Sequence, residues 1–215
     1  MKAETFFSEA EKKDITASVR EVEAGTAGEV AVMVVDRSDS YPEGRILAGV
    51  VIGPLPALLT TDLFWHDSMW IFAVGALLLA LLCGRLAALL PPLHRFFIPG
   101  TRLDEQVRNR ALTAFYEQGL HRTREESGVL FFISLFEHKV WVLADRGIYE
   151  KIDREILEEY AHDIARGIKT GKAAEALCRE IRRVGKLLAE HFPVREGDVN
   201  ELADRVIIGG VRSEE

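Results

Sequence analysis

Residues 46–90 read ILAGVVIGPLPALLTTDLFWHDSMWIFAVGALLLALLCGRLAALL. Two apolar runs, 46–61 and 69–90, are split by the polar insert 62–68. The first run carries no charge, and the second carries one, Arg85. A helix rises about 1.5 Å per residue, so the first run covers roughly 24 Å of a hydrocarbon core about 30 Å thick. It is short for a span unless its flanks help, whereas the second run is long enough. A surface helix of a soluble domain keeps a polar face, and neither run has one. The stretch therefore reads as a transmembrane helical hairpin; the alternative is a helical hairpin buried in a large soluble core. Gly53-Pro54-Leu55-Pro56 should bend the first span, as a kink packed on the second span or as a re-entrant segment. Trp65 and Trp70 fall where an outer interface would lie, and Arg85 reads as a snorkelling anchor near the inner one.

Flanking charge sets the orientation. Arg37 and Arg45 precede the core of the hairpin, Arg95, Arg102, Arg108 and Arg110 follow it, and the insert 62–68 has no Lys or Arg. Both ends should face the cytoplasm. Residues before and after the hairpin can then share one fold.

The expected organisation is 1–44 as the start of a cytoplasmic domain, 45–95 as the hairpin, 96–193 as the rest of that domain, and 194–215 as a loosely attached tail. The composition averages a greasy hairpin with a charged remainder: 48% hydrophobic residues, net charge −7. An acidic balance argues against general nucleic-acid binding. Cys83 and Cys178 form no disulfide framework or metal cluster, which suits a reducing compartment. The start of the chain lacks the apolar core of a cleavable signal.

Outside the hairpin the pattern alternates helix and strand. Ser8 and Glu11 fit a capping box opening a helix over 8–24, with Ile15, Val19 and Val22 as its stripe. Residues 29–36 (EVAVMVVD) read as a strand covered on both faces. A helix is expected over 103–120. Its arginines and the later Arg122 and Arg124 face either anionic lipid or solvent. Strands over 128–136 and 139–145, joined by Glu137-His138, should pair antiparallel, and the first strand should run parallel to the second. Two helices follow, with stripes at Ile152, Ile156, Tyr160, Ile164 and Ile168, then Ala174, Leu177, Ile181, Val184, Leu188 and Phe192. A weak helical signal covers 200–207. The sum is an α/β sandwich with helices on both sheet faces, interrupted by the hairpin.

Chemistry is sparse. There is no phosphate-cradling loop and no nucleophile elbow, and the six histidines have no metal-ligand spacing. If the second and third strands pair, Glu125, Glu126 and Ser127 approach Asp145 and Arg146. The carboxylates of Glu126 and Asp145 could then hold a divalent cation such as calcium through oxygen. The plainer reading is that Arg124 or Arg146 neutralises them. Gly147 should support the turn after Asp145.

The run 126–135 (ESGVLFFISL) resembles the D-N-G-V-L-[LI]-[LF]-[IV]-[SA] strand of the TPM domain. Residues 139–148 (KVWVLADRGI) resemble its next strand and 28–32 its first. H-R-T-R at 121–124 and A-E-H-F-P at 189–193 also resemble the bacterial membrane-protein branch, in which a hairpin interrupts the domain after its first strand. The resemblance implies a Rossmann-like α/β/α sandwich. Glu126-Ser127 stands where the family has Asp-Asn, so the carboxylate is kept and the amide is not. Relatives include proteins described as acid phosphatases or metal binders and others that maintain membrane complexes or modulate receptors. Two functions follow as expectations. One is a non-enzymatic accessory module, contacting the lipid bilayer and another membrane protein on the cytoplasmic face of a bacterial inner membrane. The other is a metal-dependent acid-phosphatase-like hydrolase using Glu126 and Asp145.

Overall fold

The computed structural model describes residues 2–65, 68–194 and 206–209. Its helices are α1 (Glu9–Glu23), α2 (Pro42–Ile52), α3 (Pro54–Trp65), α4 (Met69–Leu89), α5 (Pro91–Phe96), α6 (Gly100–Glu117), α7 (Arg146–Tyr149), α8 (Arg154–Lys169) and α9 (Ala173–His191). The strands are β1 (Glu29–Val35), β2 (Gly128–Ser134), β3 (Lys139–Ala144) and β4 (Val206–Gly209). The chain divides into two compact units, residues 1–39 with 105–215, and residues 40–104.

The first unit is an α/β sandwich around a four-stranded sheet in the order β3-β2-β1-β4. β1 and β2 run parallel from Glu29↔Gly128 to Val35↔Ser134, and β2 and β3 pair antiparallel from Val129↔Ala144 to Ser134↔Lys139. Both pairings are those expected from the spacing. Successive side chains of a strand point to opposite faces, and β1 buries both. Val30, Val32 and Val34 join Ile15, Val19 and Val22 of α1, Ile164 of α8 and Leu177, Ile181 and Leu188 of α9. Ala31, Met33 and Val35 join Val107, Ala111, Ala114 and Phe115 of α6. Each fully buried Ile or Leu contributes about 1.5–3 kcal/mol by leaving water. The Ser8 capping box forms as read, with Ser8 Oγ accepting from Glu11 N and the Glu11 side chain accepting from Ser8 N.

Two details differ from the sequence reading. The buried residues of α8 are Leu157, Tyr160, Ile164 and Gly167, while Ile156 and Ile168 are half-buried. A strict step of four drifts around a helix that repeats every 3.6 residues, so the stripe slides off the buried face at both ends. The second difference is β4. Residues 200–205 of the weak helical stretch lie outside the described residues, but Val206 and Ile207 belong to a strand that pairs parallel with β1 over Val32↔Val206 to Val35↔Gly209.

The second unit is a helical hairpin. Its two helical runs, Pro42–Phe64 (23 residues) and Met69–Leu89 (21 residues), are long and apolar enough to cross a membrane. The first is longer than expected, because Pro42–Arg45 and Asp62–Phe64 join the apolar run. At about 1.5 Å per residue it reaches roughly 34 Å. Gly53 stays helical (φ −60°, ψ −41°) and donates to Gly49 O at 2.8 Å. Pro54 and Pro56 have no N–H to donate, so the ladder is interrupted there and resumes in α3. The helix is thus interrupted at Gly53 and continues as α3. The interruption packs on α4: a Cβ on Gly53 would lie 2.4 Å from Ala80 N, and one on Gly49 2.3 Å from Ala80 O. On the facing helix, a Cβ on Gly84 would lie 2.7 Å from Arg45 O. Gly49-x3-Gly53 and Ala80-x3-Gly84 therefore let two backbones touch, as small residues do between helices in lipid. At the open end, buried His94 hydrogen-bonds Tyr41 O through Nε2 (3.0 Å), and Arg102 Nε donates to Glu43 Oε1 (3.0 Å). Trp70 is exposed, whereas His66, Asp67 and the Trp65 side chain lie outside the described residues.

Candidate functional site

The amino ends of β1 and β2 and the exit of β3 form one edge of the sheet. Asp145 N donates to Gly128 O (2.9 Å), which locks the exit of β3 to the entrance of β2. Asp145 then caps α7, its Oδ1 accepting from Arg146 N (2.8 Å). Its Oδ2 is buried without a hydrogen-bond partner among the described residues. The loop 123–127 packs against the same turn. Glu126 N donates to Thr123 O (3.1 Å), Ser127 N to Thr123 Oγ1 (2.9 Å) and Ser127 Oγ to Ala27 O (3.1 Å). Gly147 is needed for that approach and not for its own backbone angle: a Cβ there would lie 2.6 Å from Glu125 O and 2.9 Å from Glu126 O.

The structure thus brings the backbone of Glu125-Glu126 beside the turn that carries Asp145. Glu126 is exposed and left-handed (φ 51°). Neither arginine of the plainer reading pairs with Glu126 or Asp145 among the described residues; Arg146 Nε pairs with Glu150 Oε1 at 2.9 Å, both side chains exposed. The edge therefore holds one buried carboxylate oxygen with unspent acceptor capacity and carbonyls close by. No group of three or more His, Cys, Asp or Glu among the described residues is placed to hold a metal ion. Calcium takes six to eight oxygens, so carbonyls and water would have to supply most of its shell here.

The carboxyl ends of β1 and β2 hold a second polar cluster, which the sequence reading treated only as a turn. Glu137 is fully buried, with Oε1 accepting from Ser38 N (2.7 Å) and Oε2 from Ser134 Oγ. Ser38 Oγ and Ser134 Oγ share a hydrogen bond at 2.8 Å. Phe136 N donates to Asp36 O (2.9 Å), and Ala3 N to Asp36 Oδ1. Doubly wound sheets usually bind ligands at the carboxyl ends of their strands. Here both Glu137 oxygens are already engaged, tying the segment after β1 to the β2–β3 turn. No local signal marked the tie to Ser38, which lies 99 positions from Glu137.

The described histidines stay apart in role. His94 belongs to the base of the hairpin. His121 lies tilted against Tyr116 with ring centroids 4.9 Å apart, and His162 Nδ1 meets Glu158 O at 2.8 Å.

No curated protein matches this chain. Among solved structures, the chain is similar to the NMR structure of BA42 protein from the psychrophilic bacterium Bizionia argentinensis. The match has a TM-score of 0.59 at 18% identity and covers 95% of this chain and 96% of that one. At that identity the likeness speaks to the fold. Over residues 97–187, which include both strand motifs at 126–135 and 139–148, the chain matches the family model described as TPM domain (TPM_phosphatase).

Proposed function

We propose that the protein is a membrane-anchored TPM-like module, an accessory of a membrane protein complex without chemistry of its own, whose α/β unit stands on the cytoplasmic face of a bacterial inner membrane. The observation that carries this reading is the hairpin. Only 28% and 11% of the apolar windows of its two helical runs are buried. A core helix of a soluble protein would be mostly covered, so these surfaces need lipid or an apolar partner. The exposed leucines on α3 and α4, Leu55, Leu59, Leu77 and Leu89 among them, supply that surface. At the carboxyl edge of the α/β unit, where such sheets commonly bind ligands, both Glu137 oxygens are already engaged. Site-specific photocrosslinking in native membranes, followed by purification, tests the reading. A reproducible membrane-protein neighbour is expected, and crosslinking no better than a scrambled-site control would remove it.

A second reading rests on the orphaned Oδ2 of Asp145. A divalent cation held by Asp145 and Glu126 would make the amino edge a phosphomonoester-hydrolysing site. The cation would supply charge for the phosphoryl oxygens, and Asp145 and Glu126 would hold and orient it. Purified protein should then hydrolyse a phosphomonoester, and Asp145→Asn should abolish the activity. Equal rates in variant and wild type would discard this reading.

A further inference from the structure

We infer that Arg45 and Arg85 form a binding site for one anionic phospholipid headgroup at the open end of the hairpin. The inference rests on the reading that the hairpin lies in a bilayer. The contact of Gly84 with the Arg45 carbonyl, 2.7 Å from a Cβ built on Gly84, puts Arg45 of α2 at the level of Arg85 of α4. Both arginines lie about one turn inside the end of their helix, and both side chains are exposed. Neither has a hydrogen-bond or ion-pair partner among the described residues. Their neighbours are exposed and apolar: Ile46 (60%), Leu82 (52%), Leu86 (51%) and Leu89 (75%). The acidic residue nearest in sequence, Glu43, is engaged by Arg102 at 3.0 Å.

Two unpaired guanidinium groups at one level of an apolar surface are costly in hydrocarbon. Among the described residues no carboxylate pairs with them. A phosphodiester does, because a guanidinium fork matches two phosphate oxygens. The exposed leucines beside the arginines offer acyl chains a surface, so the charge and the apolar contacts fit the two ends of one lipid. Two arginines on adjacent spans form the kind of basic pocket that holds anionic headgroups, and a zwitterionic lipid would bring its own cation into that pocket.

The test uses the full chain in nanodiscs made from equal parts phosphatidylglycerol and phosphatidylcholine. The chain is extracted in mild detergent and its retained lipid is counted by native mass spectrometry. Wild type is expected to retain phosphatidylglycerol over phosphatidylcholine on the order of tenfold. Arg45→Gln/Arg85→Gln should bring the ratio close to one, and each single variant should lower it several-fold. A control with the same charge change in the α/β unit, Arg166→Gln/Arg182→Gln, should keep the wild-type ratio. If the double variant does not fold, the single variants decide, and an unchanged ratio in both overturns the site. An equal loss in the control also overturns it, since net charge alone would then set the preference. A chain that never enters the bilayer and is recovered whole in the aqueous fraction overturns the membrane reading along with this site. A chain that enters without selectivity overturns the site alone.

Discussion

Glu126 holds a backbone angle that L-residues avoid, φ 51°, beside a turn that only glycine permits at position 147. A left-handed residue costs roughly 1–2 kcal/mol unless it is Gly or, less strictly, Asn or Asp. Glu126→Asn should therefore raise stability by about 0.5–1 kcal/mol in urea unfolding. A loss instead would show that the Glu126 carboxylate contributes more than its strain costs. Ser8 allows a second prediction. Its hydroxyl, then its backbone N–H, hold the Glu11 carboxyl below the ordinary value of 4.5. A lowered folded value means that this stabilisation is fully present above pH 4.5 and is lost as pH falls through the lowered one. Ser8→Ala should cost about 0.5–2 kcal/mol at neutral pH and flatten the acid side of the stability profile below pH 4.5. At this scale local chemistry was legible: the cap could be read from residues three apart. Glu137 could not, because its partnership with Ser38 exists only once two distant segments meet at one sheet edge.

Among the elements, the crossing of α2 with α4 is the most tightly specified. Gly49→Val would drive side-chain atoms into the Ala80 carbonyl, already 2.3 Å from a Cβ. It should destabilise the hairpin by about 1–3 kcal/mol, read as a lower Tm of the full chain in detergent. Gly75 has open space around its Cβ position, so Gly75→Ala should leave Tm unchanged or raise it. Equal effects from the two substitutions would mean that close helix approach does not hold the hairpin together. The longer helices and the three longer strands were legible from periodicity, from the unbroken apolar runs and from the β-branched run EVAVMVV, whereas the short α5 and α7 were read only as a span end and a turn. β4 was not. Four residues ending at Gly209 carry too little pattern, and their place in the sheet is set by β1, more than 170 positions earlier. The interruption at Pro54 was foreseen from proline's missing N–H, but the close approach of Gly49 and Gly53 to Ala80 was not, because no local reading supplies the facing helix.

For the whole molecule, the pairing of β1 with β2 decides topology. Parallel neighbours on either side of an inserted hairpin must lie in one aqueous compartment, so any membrane crossing between them has to be even in number. Cysteines introduced as Ser38→Cys and Glu117→Cys should react with a membrane-impermeant maleimide from the same side of sealed vesicles. Labelling from opposite sides would be incompatible with the sheet. The same pairing bears on biosynthesis. β1 leaves the ribosome with every side chain apolar or buried in the end, yet the last residue of its neighbour in the sheet, Ser134, is translated 99 residues after Val35. At about 5–20 residues per second, that is a wait of roughly 5–20 s. During that interval a seven-residue sticky segment stands next to a strongly apolar hairpin, so nascent-chain chaperones should govern yield more strongly than the stability of the finished protein.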